Sequence, residues 1–138
     1  MATYLLDTNV CGFLFRNKYG VADKLAKIGL TNCAVSQLTV AELMVGIEYT
    51  LQKTGSNQYP RLKEFLKYVP VISIDEVLSI AAKEKARLQL AGTPNNDLID
   101  VLIAATAMKH NLILVTENVK HFTNFKSLTI ENWVDRNV

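Results

Sequence analysis

Four short apolar runs, "YLL" (4–6), "CAV" (33–35), "VPVISI" (69–74) and "LILV" (112–115), alternate with stretches of helical periodicity, and this alternation constrains the fold more than any other feature. Strands that read as nearly unbroken apolar runs are buried on both faces, so a parallel sheet covered by helices follows. "CGFLFRNKYG" and "VADKLAKIG" predict two short helices, the second ended by Gly29. "TVAELMVGIEYTLQKTG" predicts a longer one, with Val40, Leu43, Met44 and Ile47 at helical spacing and Gly55 past its end. After the turn-rich "TGSNQYP", Pro60 suits the first position of a helix through "PRLKEFLKY". "DEVLSIAAKEKARLQLAG", stopped by Gly92 and Pro94, predicts an amphipathic helix, and "NDLIDVLIAATAMKHN" one that is apolar almost all round. "LTI" (128–130) is a candidate short edge strand.

Composition narrows the functional classes. A chain of 138 residues suits one domain, residues 1–138, and 49% hydrophobic with 20% charged residues is ordinary globular usage, against a disordered or low-complexity chain. A net charge of +2 is too small for a protein that coats nucleic acid nonspecifically, so any nucleic-acid role must reside in a local site. Cys11 and Cys33 lack metal-ligand spacing and read as reduced, buried thiols, as expected in the cytoplasm. The N-terminus reads as unprocessed, and no apolar run approaches the ~20 residues of a membrane span.

The acids are the informative residues. In open α/β sheets the functional crevice lies at the carboxyl ends of the strands. Asp7 ends the first strand, where a charge needs a compensating partner. Ser36 and Thr116 end two others, and these positions share one edge if the strands are neighbours. Glu42 lies a turn into the helix after Ser36, although Thr39-Val40-Ala41-Glu42 equally matches a capping box. Asp97 and Asp100 face roughly the same way, Asp97 as a charge suited to a helix start and Asp100 set among apolar residues. Convergence of Asp7, Glu42 and Asp100 would call for a cation, and Mg²⁺, held by one or two carboxylates with water at its other positions, is suited to phosphate chemistry. His110 and His121 stand apart as helix-end or loop residues. There is no GxxxxGK[ST] or GxGxxG motif, and "DTN" lacks the second aspartate of an aspartyl-phosphate hydrolase.

"YLLDTNV", "SQLTVAELMVG" and "DVLIAATAMKHNLILVTENVKHF", in this order and spacing, closely resemble the PIN-domain ribonucleases, and within them the VapC-like toxins of toxin–antitoxin pairs. The resemblance spans nearly the whole chain and implies a three-layer α/β/α sandwich with a central, mostly parallel sheet. Carried over by position, it implies catalytic residues Asp7, Glu42, Asp100 and Asn118, with Asp7, Glu42 and Asp100 holding Mg²⁺ or Mn²⁺. Asn118 stands where many PIN domains have aspartate, which lowers the charge available for a second ion, and Glu117 is a candidate substitute. Thr8, Asn9, Ser36 and Thr116 are expected in support and Asp97 at the periphery. Arg87, Arg16, Lys85 and Lys18 are candidate contacts to RNA phosphates, Arg87 first. The resemblance further implies a metal-dependent endoribonuclease acting on a structured RNA such as tRNA or rRNA, a cognate VapB-like antitoxin, and a homodimer. A catalytically weak binding module is the alternative.

Overall fold

The structure is a computed structural model that describes residues 2–92 and 97–138. Its strands are β1 (Tyr4–Leu6), β2 (Cys33–Ser36), β3 (Val71–Ile72), β4 (Ile113–Val115) and β5 (Ile130–Glu131). They form one sheet in the order β3-β2-β1-β4-β5, every pairing parallel. The helices are α1 (Thr8–Phe15), α2 (Val21–Ile28), α3 (Gln37–Thr54), α4 (Tyr59–Leu66), α5 (Leu78–Leu90) and α6 (Leu98–His110). Turns of 3₁₀ helix lie at Leu30–Asn32, Asp75–Val77 and Val119–Phe122.

Alternation along the strands assigns the layers. Leu5, Ala34 and Leu114 share one core with Ala81 and Leu88 of α5, the apolar face of α6 and Phe122 and Phe125. Leu6, Cys33, Val35 and Val115 point the other way, into a core with residues of α1, α2, α3 and α4. Burial on both sides is why the inner strands β1, β2 and β4 carry no charged residue and only Ser36, at the carboxyl end of β2, as a small polar one. α6, sandwiched between sheet and α5, has seven consecutive buried residues from Val101 to Ala107. The lone hydroxyl among them, on Thr106, donates to Leu102 O at 2.8 Å, so nothing polar is stranded there.

Several boundaries differ from the sequence reading. α1 begins at Thr8, directly after Asp7, and stops at Phe15, where the chain enters a turn with left-handed backbone at Asn17, Tyr19 and Gly20. α3 begins at Gln37, because Ser36 caps it by accepting from Leu38 N–H at 3.1 Å. "VPVISI" contributes only Val71–Ile72 as strand: Pro70 has no N–H to donate, although its carbonyl accepts from Val35 N at 3.0 Å. "LTI" does form an edge strand, shifted to Ile130–Glu131. The helix stop assigned to Pro94 lies outside the described residues; α5 itself ends at Leu90, with Gly92 at φ +68°.

Candidate active site

The chain runs from β1 outward to β2 and β3 on one side, while β4 and β5 add on the other, so the strand order reverses between β1 and β4. Such a reversal opens a crevice at the carboxyl ends of the two strands. Asp7 and Thr116 stand there, each immediately after its strand, and Ser36 ends the neighbouring β2. The adjacency of these three ends, left open by the sequence, is thereby established.

Asp7 is 9% exposed and fully engaged. Its Oδ1 accepts from Thr8 N–H at 2.8 Å, capping α1, and its Oδ2 accepts from the Thr116 hydroxyl at 2.8 Å. Burial is the largest influence on its pKa and raises it; the Thr116 and Thr8 hydrogen bonds oppose this, the Glu42 charge adds to it, and His121 opposes it. Glu42, one turn into α3, accepts from the Thr8 hydroxyl at 2.6 Å. With Ser36 as the cap of α3, the capping-box explanation of Glu42 no longer holds; its carboxylate faces α1 across the crevice. Thr8 thus joins two carboxylates, its N–H to Asp7 and its hydroxyl to Glu42, and its oxygen lies 3.2 Å from that of the buried Thr39.

Asp100 completes the acidic edge from the other face of the sheet. Burial raises its pKa, as do the charges of Asp97 and Asp7, while His121 lowers it. His121 Nδ1 lies 3.3 Å from Asp100 Oδ2. Asp97 caps α6, its Oδ1 accepting from Asp100 N–H at 2.8 Å, and so helps to start the helix that carries Asp100. Asn9 links the rear of the site, with Nδ2 donating to Thr116 Oγ1 at 3.4 Å and Oδ1 accepting from Glu117 N–H at 3.3 Å.

The remaining candidates lie at the margin of the crevice or beyond it. Asn118 is exposed and its backbone N–H donates to Thr116 Oγ1 at 3.0 Å. Both Glu117 carboxylate oxygens are taken by Arg136, at 2.5 and 2.7 Å, which makes Glu117 half of an ion pair and not a spare acid. Arg87 is bound to Glu84 by two hydrogen bonds of 3.0 Å and to Asn124 O at 3.1 Å, strapping α5 to the loop beyond Phe122. Lys85 is a half-buried residue of the same helix. Arg16 lies at the far end of α1 from Asp7, folded back on Gly12 O at 3.2 Å and over the Phe13 ring, and Lys18 is in the turn beyond it. Sequence reasoning missed His121, Thr39 and Arg136. Only for His121 was there a signal, a histidine shortly after a strand end that carries a site residue.

The donor set suits a hard divalent cation. Carboxylates are the ligands that Mg²⁺ and Mn²⁺ prefer. Asp7 is buried with its pKa raised, and both it and Asp100 feel further negative charge, so a cation beside them would relieve a repulsion already built into the fold. Among the described residues no three acids, histidines or cysteines are gathered into a ready-made cage. Mg²⁺ does not need one, since one or two carboxylates and several waters hold it.

The PIN domain family model matches residues 4–126. This chain belongs to the PIN-domain family. Its relatives within the family include the tRNA(fMet)-specific endonuclease VapC of Salmonella typhimurium, 28% identical over 134 residues that cover 96% of this chain and 99% of that protein. Ribonuclease VapC2 of Rickettsia felis is 31% identical over 94% of this chain and 97% of its own length. Among solved structures, DNA-bound VapBC of Salmonella typhimurium superposes with a TM-score of 0.81 at 27% identity, covering 96% of this chain and 99% of that one. Rickettsia felis VapBC2 bound to a promoter DNA fragment gives 0.79 at 27% identity, covering 95% and 98%. The PIN architecture read from the sequence, a three-layer sandwich around a parallel sheet, is the architecture observed.

In this PIN domain Thr116 is the hydroxyl that fixes Asp7. Thr116→Val is expected to lower any metal-dependent cleavage by about 10–100-fold, the usual cost of removing a group that orients a metal ligand. A rate measurement beside a thermal melt checks this; an unchanged rate in a folded variant would remove Thr116 from the site.

Proposed function

We propose that this chain is a VapC-type endoribonuclease that hydrolyses phosphodiester bonds of a structured RNA such as a tRNA or rRNA, depends on Mg²⁺ or Mn²⁺, and is inhibited by a cognate VapB-like antitoxin. The observation that carries this reading is the buried Asp7 at the β1–β4 crevice, tied through Thr8 to Glu42 and within electrostatic reach of Asp100. Asp7 and Asp100 would hold the ion, with Glu42 beside them. When bound, the ion supplies Lewis-acid chemistry and positive charge against the phosphate oxygens.

The chain's own residues do the rest by pre-organisation. Thr116 and Thr8 N–H fix the two oxygens of Asp7, and the Thr8 hydroxyl orients Glu42. Asn118 offers an uncharged polar group at the fourth position, so the site has less charge for a second ion. A crevice this acidic repels bare RNA phosphate, and divalent cation reverses that sign. It equally suits a basic side chain from an antitoxin, which would neutralise the acids in place of the metal. Relatives solved as VapBC assemblies support such a partner, and a homodimer is proposed with it. Buried, unpaired Cys11 and Cys33 suit a cytoplasmic location, and among the described residues no helix is long and apolar enough to cross a membrane.

The second reading, a weakly catalytic binding module, draws on Asn118 and on the absence of a three-residue metal cage among the described residues. Expression of the chain without antitoxin, followed by mapping of new RNA ends, separates the two. Discrete new ends in one or a few structured RNAs, absent with Asp100→Asn, support the nuclease; growth arrest or RNA retention without new ends supports the module.

A further inference from the structure

The chain beyond β5 returns across the molecule to the turn after α1. Asp135 N–H donates to Tyr19 O at 3.0 Å, which holds a residue whose own φ of +58° is unusual for an aromatic side chain. The next residue, Arg136, places its guanidinium 4.3 Å from the centre of the Tyr19 ring and 5.1 Å from that of Phe13. From this aromatic seat its Nε and Nη2 grip both oxygens of Glu117. The planar fork and the stacking are both specific to arginine.

Glu117 belongs to the segment that serves Asp7. Its N–H donates to Asn9 Oδ1, Asn9 Nδ2 donates to Thr116 Oγ1, and the Thr116 hydroxyl donates to Asp7 Oδ2. Asn118 N–H also donates to Thr116 Oγ1. We infer that Arg136 is a positioning residue for the acidic site: seated on Tyr19 and Phe13, it clamps Glu117 and so fixes residues 116–118, through which Thr116 orients Asp7. Exposed ion pairs contribute little to global stability, so the consequence of the clamp belongs in the local order of this segment and in catalysis.

The kinetic part of this inference rests on the ribonuclease reading; a structural part does not. In Arg136→Ala, hydrogen exchange at the Glu117 and Asn118 amides is expected to speed up at least tenfold, while amides of Leu114 and Ala105 stay unchanged. With RNA substrate, kcat is expected to fall about 10–100-fold at little-changed KM, as when other outer groups around a metal ligand are removed. Arg136→Lys, which keeps charge without fork or stacking, is expected to recover only a small part. Unchanged exchange at Glu117 and Asn118 would overturn the inference whatever the kinetics. A change confined to KM that disappears at high salt would overturn it too, making Arg136 a direct phosphate contact. If wild type cleaves no RNA, the ribonuclease reading fails, and the exchange result alone decides whether Arg136 fixes the segment.

Discussion

Asp7→Asn is expected to abolish most cleavage, by about 10²–10³-fold or more, while leaving the metal-free protein at least as stable as wild type at neutral pH. The two effects have one origin. Asp7 is nine-tenths buried, and burial together with the Glu42 charge raises its pKa from the ordinary 3.8. The folded chain therefore holds this proton to higher pH than the unfolded chain does. Stability falls as pH rises from the ordinary aspartate pKa through the raised one, and above that window the whole penalty is present. The asparagine carries no such penalty. Its carbonyl can accept from Thr8 N–H, and its amide can donate to Thr116 Oγ1 by taking the place of Asn9 Nδ2, whose 3.4 Å hydrogen bond is the longest there. Urea denaturation in EDTA across this pH range checks the point: the wild-type midpoint should decline with rising pH, and the decline should be shallower in Asp7→Asn. Some slope remains, because the Asp100 pKa shifts in the same direction. A variant clearly less stable than wild type at neutral pH would mean that the Asp7 carboxylate supports the fold and is not strained by it. The expected result, a variant at least as stable, makes the site an instance of function maintained against stability.

Phe122→Ala is expected to cost about 3–5 kcal/mol, a large share of the 5–15 kcal/mol that ordinarily holds a domain together. Phe122 is completely buried, its ring centre 6.5 Å from that of Phe125, in the core between sheet, α5 and α6. It closes the 3₁₀ turn Val119–Phe122, so the cavity left behind also loosens His121 beside Asp100. Urea denaturation should show a much lower midpoint with little change in slope. A loss under about 1 kcal/mol would indicate that the neighbouring aromatic collapses into the space.

How much of this was legible beforehand follows from the length scale of each signal. Apolar runs such as "CAV" and "LILV" and the all-apolar face of α6 reflect burial, which composition along the chain records directly, and they gave the layers. The carboxyl-end positions of Asp7, Ser36 and Thr116 were equally local. Strand order was not, because which strand lies beside β1 depends on long-range packing that leaves no mark on any one segment. Glu42 was ambiguous because its neighbours spell a capping box; the deciding fact, that Ser36 already caps α3, needed the helix start. Asp97 resolved in the opposite sense, as a cap. Arg136 was invisible for a different reason. Its partners Glu117, Tyr19 and Phe13 are distant in sequence, and an arginine near a chain end ordinarily means only a solvated charge. Arg87 drew attention as a basic residue on an exposed face, and intramolecular pairing to Glu84 and Asn124 accounts for it.

The most direct test of the central claim is cleavage of tRNA and total cellular RNA by the purified, antitoxin-free chain, with Mg²⁺ or Mn²⁺, with EDTA, and with folded Asp7→Asn and Asp100→Asn proteins in parallel. Discrete fragments from wild type with metal alone, lost in EDTA and in both variants, are the predicted result. Cleavage that persists in EDTA or in either variant would contradict the acidic crevice as the site of chemistry, and equal inertness of all three folded proteins on every RNA would contradict the nuclease itself.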